Sequence, residues 1–560
     1  AFKDIGNDVV QTCAFSLSKS DNEATSTFIK LDDCKDYYQK IEEFNNPERA
    51  YQVNLHSIAE IPGQPLTAYW AGSLIDLWED AKTIEDYGEY TGSQNVTGDN
   101  EKYLRLHWEI SPDNIRKDYW VPYAKGGSFR RYYGNLLHVI DWREDARNFY
   151  ATNKTSNLLN EHYWFRRGIT YSAVTSRGTG FRYLPEGCIF DKGGASILLN
   201  DNLEEILALL NSRVATLLFS VLNPSVNLQV RDIKALPIKL DHSQAIVDCA
   251  RELIAIAKKD WDSKEISLEF TENPLLIIEQ SQISNAMRLR EEHLSIERNR
   301  AISMLKTIDR QFEEIYGVDE SLLPELEDRD IPVTLFSETD EVKSLISYGV
   351  GCLFGRYQKN NDSYKVGFDV DEDGIIPFLS DVWFEDDIVG QFERWLAVVY
   401  GENTLRDNVR YIESVLGKSL RDYFVNDFYE DHCKLYSAVG TGKRPIYWMF
   451  SSPQNSFNAL IYSHNYRQGT VGELLTGYLR DFISKLNASI ASLETSERAS
   501  DQKQADKYRN MVKELEEWER DVVYPMAHER IAIDLDDGVK VNYNKFPYAL
   551  RKVAGLSEWK

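Results

Sequence analysis

The pattern of apolar residues changes near residue 240, and this change most limits the folds open to the chain. Residues 91–240 are dense in Gly, Tyr, Trp and Arg with short apolar runs, which predicts a mixed α/β region with long loops. From residue 243 apolar residues recur at helical spacing, most clearly at 291–316, a charged periodic stretch that stops at Gly317. Because 560 residues exceed one ordinary core, the two patterns indicate separate domains.

The predicted fold class is α+β and multidomain. Within it, residues 203–222 predict one buried helix, residues 227–238 a polar turn followed by a short strand, and residues 471–522 a helical hairpin broken near 495–500. The predicted divisions are a strand hairpin at 1–35 formed by residues 9–17 and 25–31, linker helices at 36–90, a mixed α/β domain at 91–240, a helical spacer and connector at 241–340, and a largely α C-terminal domain at 341–560.

Cysteine usage and hydropathy indicate a cytoplasmic protein. The six cysteines are widely spaced, with no CxxC and no Cys/His cluster, which favours a reducing compartment and argues against structural zinc. No stretch approaches the roughly 18 apolar residues that a spanning helix needs, so no membrane association is expected. The chain starts at Ala1 without a signal peptide, which is typical of the interior of a longer protein.

The charge distribution contains one basic island. The chain as a whole has a net charge of −25, which opposes unspecific nucleic-acid binding. Residues 116–182 nevertheless hold 12 Lys and Arg against 5 Asp and Glu. This island suits a DNA-facing surface. A local fluctuation of composition explains the same numbers equally well.

We find no catalytic, cofactor-binding or metal-binding motif. A methyltransferase acting on the adenine amine needs a Gly-rich turn for S-adenosylmethionine and an Asn/Asp-Pro-Pro-Tyr/Phe loop, and neither is present. Asn223-Pro224 lacks the second proline and the aromatic residue. The sequence Gly440-Thr441-Gly442-Lys443 departs from a phosphate-binding loop and predicts a surface turn. The nine histidines show no metal-ligand spacing.

Four polar stretches are candidates for contact with DNA. They combine tight turns, Gly-rich loops and aromatic residues interleaved with Lys and Arg, which can bind phosphates, stack on bases or read base edges. Each also has a structural explanation: a turn between strands, an aromatic core edge, internal salt bridges, or a scaffold that closes a domain. The candidate residues are Thr97, Asp99, Asn100, Lys125, Arg130, Arg131, Arg166, Arg167, Arg177, Arg182, Asn227, Gln229 and Arg231.

The order of these motifs resembles a known family of enzymes. The turn 97–100 resembles the opening of the recognition domain in TaqI-like adenine methyltransferases, and 229–238 resembles its closing element, which also occurs in type I specificity subunits. The stretches 125–127, 133–135 and 168–171 look more specifically like the PglX (BrxX) family of BREX phage-defence systems. Further stretches that fit the same family are 4–12, 342–357 and 445–452.

The resemblance implies a function for a longer enzyme. Such an enzyme would use S-adenosylmethionine to methylate N6 of adenine at a short site in double-stranded DNA, and would act with other BREX proteins. Residues 1–35 would be the last strands of its methyltransferase domain, residues 91–240 its target-recognition domain, and the N-terminal methyltransferase domain a partner in the same or a separate chain. The alternative is a non-catalytic interaction protein that recruits other defence subunits.

Overall fold

A computed structural model describes residues 15–16, 25–29, 31, 34, 36–54, 61–63, 74–90, 94–173, 180–223, 228–357 and 370–559. Strand β1 (Thr25–Ile29) pairs antiparallel with strand β2 (Ala50–Asn54), which lies in the stretch predicted as linker helices. Helix α1 (Tyr37–Glu43) separates the two strands in sequence. The predicted first strand, 9–17, lies outside the described residues except for Phe15 and Ser16.

The remaining strands form small sheets. Two four-stranded sheets have the orders β4-β6-β5-β9 and β3-β10-β7-β8, and a three-stranded sheet has the order β11-β15-β14. The strands are β3 (Gly88–Glu89), β4 (Leu104–Leu106), β5 (Trp120–Ala124), β6 (His138–Asp141), β7 (Gly168–Tyr171), β8 (Phe181–Leu184), β9 (Ile189–Phe190), β10 (Ser196–Leu199), β11 (Ile375–Pro377), β12 (Ser437–Ala438), β13 (Gly442–Lys443), β14 (Tyr447–Ser451) and β15 (Asn458–Tyr462).

Further helices follow α1, most of them after residue 200, and the α+β class is confirmed. They are α2 (Asn100–Tyr103) and α3 (Glu144–Thr152), then α4 (Leu203–Asn211), α5 (Arg213–Leu222), α6 (Val230–Lys234), α7 (Gln244–Asp262), α8 (Pro274–Ile277), α9 (Ile283–Tyr316), α10 (Glu338–Leu353), α11 (Ile388–Tyr400), α12 (Leu405–Leu416), α13 (Leu420–Asn426), α14 (Phe428–Leu435), α15 (Thr470–Glu473), α16 (Arg480–Glu494), α17 (Ala499–Trp518), α18 (Tyr524–Glu529) and α19 (Gly538–Tyr543).

Helix ends follow their sequence signals in two places. Helix α9 ends where predicted, because Gly317 adopts a left-handed φ of 63° that residues with a Cβ disfavour. It starts at Ile283, eight residues before the predicted stretch. The predicted helical hairpin is confirmed as α16 and α17, which lie side by side in the fold and are separated by residues 495–498.

The predicted secondary structure was wrong at 203–222 and after Gln229. The expected single helix at 203–222 is broken, because the Ser212 hydroxyl accepts from the Ala215 N–H at 3.1 Å and starts a new helix. The expected strand after Gln229 is instead helix α6. Its start is fixed by the Asp232 carboxylate, which accepts from the Gln229 N–H at 2.8 Å.

Two hydrophobic cores fill most of the described chain. One contains residues from both sides of position 240, including Ile169, Leu207 and Leu253. The other lies mainly after residue 340 but also includes Trp108. Helix α9 joins the two, because its first turns pack in the second core and its later turns in the first. The predicted domain boundaries themselves stay a prediction.

No single helix within the described ranges is long and apolar enough to cross a membrane. Helices α4 and α5 meet the criterion only as a pair, and that pair is bent by 67°.

Candidate nucleic-acid interface

The loops that follow two parallel strands meet at one edge of the β4-β6-β5-β9 sheet. Strand β9 pairs parallel with β5, so the segments that follow the two strands leave the sheet at the same edge. The loop 125–128 follows β5, and the loop 191–194 follows β9. Asp191 fixes the second loop, since its carboxylate accepts from the N–H groups of Gly193 and Gly194 at 2.6 and 2.9 Å. We call residues 124–128, 172 and 191–194 the glycine junction.

Glycine is required where the two loops touch. A Cβ on Gly126 would lie 2.5 Å from the Gly193 carbonyl oxygen. A Cβ on Gly194 would lie 2.4 Å from the Ala124 carbonyl oxygen. These separations are shorter than the contacts that Cβ atoms make in proteins, so only glycine permits the two backbones to approach this closely. The Ser172 hydroxyl adds a third segment by donating to the Gly127 carbonyl at 3.1 Å.

Positive charge lies on and beneath the glycine junction. Arg182 is 1% exposed and donates to the Ser172 hydroxyl at 3.3 Å. Burial lowers the pKa of Arg182 to about 10, which leaves it charged at neutral pH. Burial also lowers the pKa of Lys125 and raises that of Asp191, and each charge opposes the shift of the other. No carboxylate among the described residues forms an ion pair with Arg182.

A hairpin from the C-terminal region lies beside the glycine junction. Strands β12 and β13 form it, and its turn contains Gly440 and Thr441. The Thr441 hydroxyl is hydrogen-bonded to His138 Nε2 at 2.8 Å. Burial and the nearby Lys125 lower the pKa of His138 to about 3, so this imidazole is neutral. The predicted surface turn is confirmed, but its proximity to His138 depends on contacts across 303 residues and has no local sequence signal.

Arg130 and Arg131 are engaged by carboxylates of the helical region. Arg130 Nη1 lies 3.4 Å from Asp260 Oδ2, and its guanidinium lies 4.8 Å from the centre of the Trp261 ring. Arg131 is 8% exposed, and its Nη2 lies 3.0 Å from Asp330 Oδ1. Both arginines therefore hold the loop before β6 against distant segments. Whether either also touches DNA stays a prediction.

Arg166 and Arg167 differ in exposure. Arg166 Nη1 lies 2.6 Å from Glu89 Oε1, and Arg166 Nη2 donates to the Asn200 side chain at 3.0 Å. Arg167 is exposed, and its Nη2 donates to the Asn200 carbonyl at 3.3 Å. Arg167 is the freer of the two, because a neutral carbonyl holds a guanidinium less tightly than a carboxylate does.

The turn at 97–100 caps a helix and does not join two strands, so the expected strand-to-strand turn was wrong. The Asp99 carboxylate accepts from the Lys102 N–H at 3.1 Å and starts helix α2. Thr97 is 2% exposed, and its hydroxyl donates to the Asn100 side chain at 2.7 Å. Asp99 and Asn100 are exposed.

The other candidates lie on a separate element or outside the described residues. Gln229 starts helix α6, and the Arg231 side chain on that helix is 76% exposed. Arg177 and Asn227 lie outside the described residues. The structure thus brings together Lys125, Ser172 and Arg182, whereas Gln229 and Arg231 lie on a separate element.

The described part of the chain contains no group of three His, Cys, Asp or Glu residues that could hold a metal ion. No family model matches the sequence.

Two curated adenine-specific methyltransferases are similar to this chain over nearly its whole length. The chain is 31% identical to the adenine-specific methyltransferase PglX of Lacticaseibacillus casei (strain Zhang), over 97% of its own length and 50% of the relative. It is 30% identical to the adenine-specific methyltransferase BrxX of Escherichia coli O9:H4 (strain HS), over 100% of its own length and 50% of the relative. The chain is therefore a member of the PglX/BrxX family, as its motif order predicted, and spans about half the length of these relatives.

Proposed function

We propose that this chain is the DNA target-recognition and C-terminal region of an adenine-N6 DNA methyltransferase of a BREX-type phage-defence system. In this proposal, S-adenosylmethionine and the catalytic loop belong to the half of the relatives that the chain does not match. The proposal rests on the glycine junction, which combines exposed backbone, Lys125 and the buried charge of Arg182. Such an arrangement suits a DNA phosphate, because backbone N–H groups and cations can approach it together.

We divide the candidate residues between two proposed roles, using their contacts as support. Lys125, Arg167, Asn100 and Arg231 would contact DNA, since their side chains are at least partly open to solvent. A second group would position the loops, since its members are buried, bound to carboxylates or, in the case of Asp99, capping a helix: Thr97, Asp99, Arg130, Arg131, Arg166, Arg182 and Gln229. The proposed roles of Arg177 and Asn227 rest on the sequence pattern and the family resemblance.

The experiment is binding of the full chain to a pool of random duplexes across a salt series, followed by sequencing of the bound fraction. We expect one short adenine-containing motif to be enriched, and affinity to fall steeply as salt rises. Lys125→Gln should weaken binding to that motif. The matched control is Arg520→Gln, which removes one exposed positive charge whose ion-pair partner, within the described ranges, is the neighbouring Asp521.

Equal losses in Lys125→Gln and Arg520→Gln would contradict a role for the glycine junction. Absence of binding, both alone and with the other half of a relative added, would contradict DNA recognition. Salt-insensitive binding to other defence proteins in that case would establish the alternative, a non-catalytic interaction protein.

A further inference from the structure

The β12–β13 hairpin carries the most exposed large apolar side chain among the described residues. This is Val439, at the tip, which is 79% exposed. The turn is closed by the Thr441 N–H, which donates to the Ala438 carbonyl at 3.1 Å, and Gly440 has the φ of 75° that the third position of a type II turn needs. A valine side chain that stays in solvent adds no burial energy to the fold, so its place at the tip suits contact with a partner.

The base of this hairpin is fixed to the rest of the molecule. The Arg444 N–H donates to the Tyr436 carbonyl at 2.7 Å, next to the residue pairs of β12 and β13. The Arg444 carbonyl accepts from Trp108 Nε1 at 3.0 Å, and Tyr436 is buried. A tip on such a base keeps its position when it meets a partner, so little conformational entropy is lost on binding.

The tip lies next to the glycine junction. The Thr441 hydroxyl is hydrogen-bonded to His138 Nε2 at 2.8 Å, and His138 is opposite Tyr123 in the pairing of β5 with β6. Lys125 follows two residues after Tyr123. Burial and then the charge of Lys125 lower the pKa of His138, which places that charge close to the same imidazole. A partner bound at the glycine junction would therefore also meet the hairpin tip.

The tip combines a slim backbone with positive charge. Gly440 and Gly442 carry no side chain, and the hairpin contains no acidic residue. Lys443 forms no ion pair within the described ranges, unlike Lys434 and Arg444, whose partners are glutamates. Such a tip suits the major groove of duplex DNA, which is lined by phosphates and, at about 12 Å, is wide enough for a two-stranded β-ribbon.

An apolar side chain can read one feature of the major groove. Thymine presents its C5-methyl group there, which no other unmodified base of DNA carries, and apolar side chains contact that methyl. A duplex site that contains adenine always contains thymine on the opposite strand. Val439 could shield such a methyl group from water, whereas a lysine on a phosphate would position the hairpin without reading sequence.

We propose that the β12–β13 hairpin enters the major groove of the recognised DNA, where Val439 contacts the methyl group of a thymine and Lys443 contacts a phosphate. This inference rests on the proposed function, because it requires that the chain binds duplex DNA. It adds a specificity-determining residue from the C-terminal half, outside the region 91–240 that the sequence predicts to recognise the target.

The test replaces each thymine of the enriched motif and its flanks, one at a time, by deoxyuridine, which lacks only the methyl group. The affinity of the full chain is measured for every duplex. At one position the wild type should lose affinity about fourfold, as expected for one apolar carbon group returned to water. Val439→Ala should bind the unmodified motif more weakly by a similar factor and should show no further loss at that position.

Two further variants separate sequence reading from positioning. Lys443→Gln should weaken binding to every duplex alike and should keep the loss at that thymine. Val382→Ala removes another strongly exposed valine, in the loop between β11 and α11, and should behave as the wild type does. Thermal melting checks that the variants are folded, and the deoxyuridine series on the wild type needs no variant.

The outcomes distinguish this inference from the proposed function. Specific binding that is insensitive to every deoxyuridine substitution, or a loss that persists in folded Val439→Ala, would overturn the inference and leave the proposed function intact. Absence of specific duplex binding by the wild type, alone and with the other half of a relative added, would overturn both.

Discussion

Two arginines with little exposed surface show how differently the two halves of the molecule use the same side chain. Arg182, under the glycine junction, is hydrogen-bonded to neutral oxygens and to no carboxylate among the described residues. Arg356 is bound to Glu265, which is 2% exposed and also accepts from Tyr357 at 2.7 Å and Tyr436 at 2.9 Å. We call Glu265, Arg356, Tyr357, Tyr436 and Ser347, which donates to Glu265 at 2.6 Å, the glutamate cluster.

The difference lies in what remains available for a ligand. In the glutamate cluster every charge is satisfied internally, which suits a structural role. At the glycine junction the positive charge exceeds the negative charge that neutralises it, which suits an anionic partner. Burial alone therefore does not tell whether an arginine is structural or available to a ligand. The partners of its guanidinium do, because a carboxylate neutralises the charge and a neutral oxygen does not.

The largest effect should come from breaking the glutamate cluster. Glu265→Ala leaves the Arg356 guanidinium buried without its carboxylate, and should lower the free energy of unfolding by about 3–5 kcal/mol. Urea denaturation measures this change. Glu430→Ala, which removes an exposed carboxylate from helix α14, serves as the control and should have little effect. Equal stabilities of the two variants would show that the cluster is not structural.

Acid should have the next largest effect on stability. Burial lowers the pKa of His107 and of His464 to about 4, and each ring is hydrogen-bonded to a backbone carbonyl. The unfolded chain takes up these protons near pH 6.5 while the folded chain does not. Stability is therefore fully present above about pH 6.5 and is lost as pH falls towards about 4, by on the order of 1–3 kcal/mol per histidine.

Urea denaturation at several pH values between 7 and 4 measures this loss. His464→Gln should flatten the dependence on pH, because Gln keeps a donor for the Trp108 carbonyl but does not titrate. A wild-type stability that is constant over this range, or an unchanged slope in the variant, would contradict the burial of a neutral His464.

A methyl group at the glycine junction should have a smaller effect on stability and a clear effect on DNA binding. Gly194→Ala places a Cβ 2.4 Å from the Ala124 carbonyl oxygen, so the two loops must separate. We expect a loss of about 1–3 kcal/mol in unfolding free energy, together with weaker binding to the enriched DNA motif. Gly472→Ala in helix α15 has open space around its Cβ and should cause no loss. Unchanged DNA binding in folded Gly194→Ala would separate the junction from recognition.

The smallest effect should come from an exposed arginine. Arg167→Gln should leave folding unchanged and reduce the slope of log affinity against log salt by about 1, as expected for one lost phosphate contact. The measurement is duplex binding over a salt series, with Arg520→Gln as the matched control. The same slope in wild type and Arg167→Gln would remove this residue from the interface.

The sequence predicted much that depends on neighbouring residues alone. The end of helix α9 at Gly317, the break in the helical hairpin and the turn at Gly440 were correct, because each depends on the backbone preferences of a few adjacent residues. The helix at Val230 was missed although its capping pair, Gln229 and Asp232, is present in the sequence. The apolar residues that follow Gln229 are also typical of a short strand, which is why a strand was predicted there.

The order of motifs along the chain also carried the family resemblance, which the curated relatives confirm without needing any tertiary contact. The partners of the charged residues could not be predicted in this way. Arg130 meets Asp260, and Glu265 meets Arg356, Tyr357 and Tyr436, across separations of 91 to 171 residues. A charged side chain carries no local signal of whether folding will bury it or pair it. Family and local turns were therefore determined by the sequence, whereas the separation of scaffold cations from available ones was decided only by the tertiary structure.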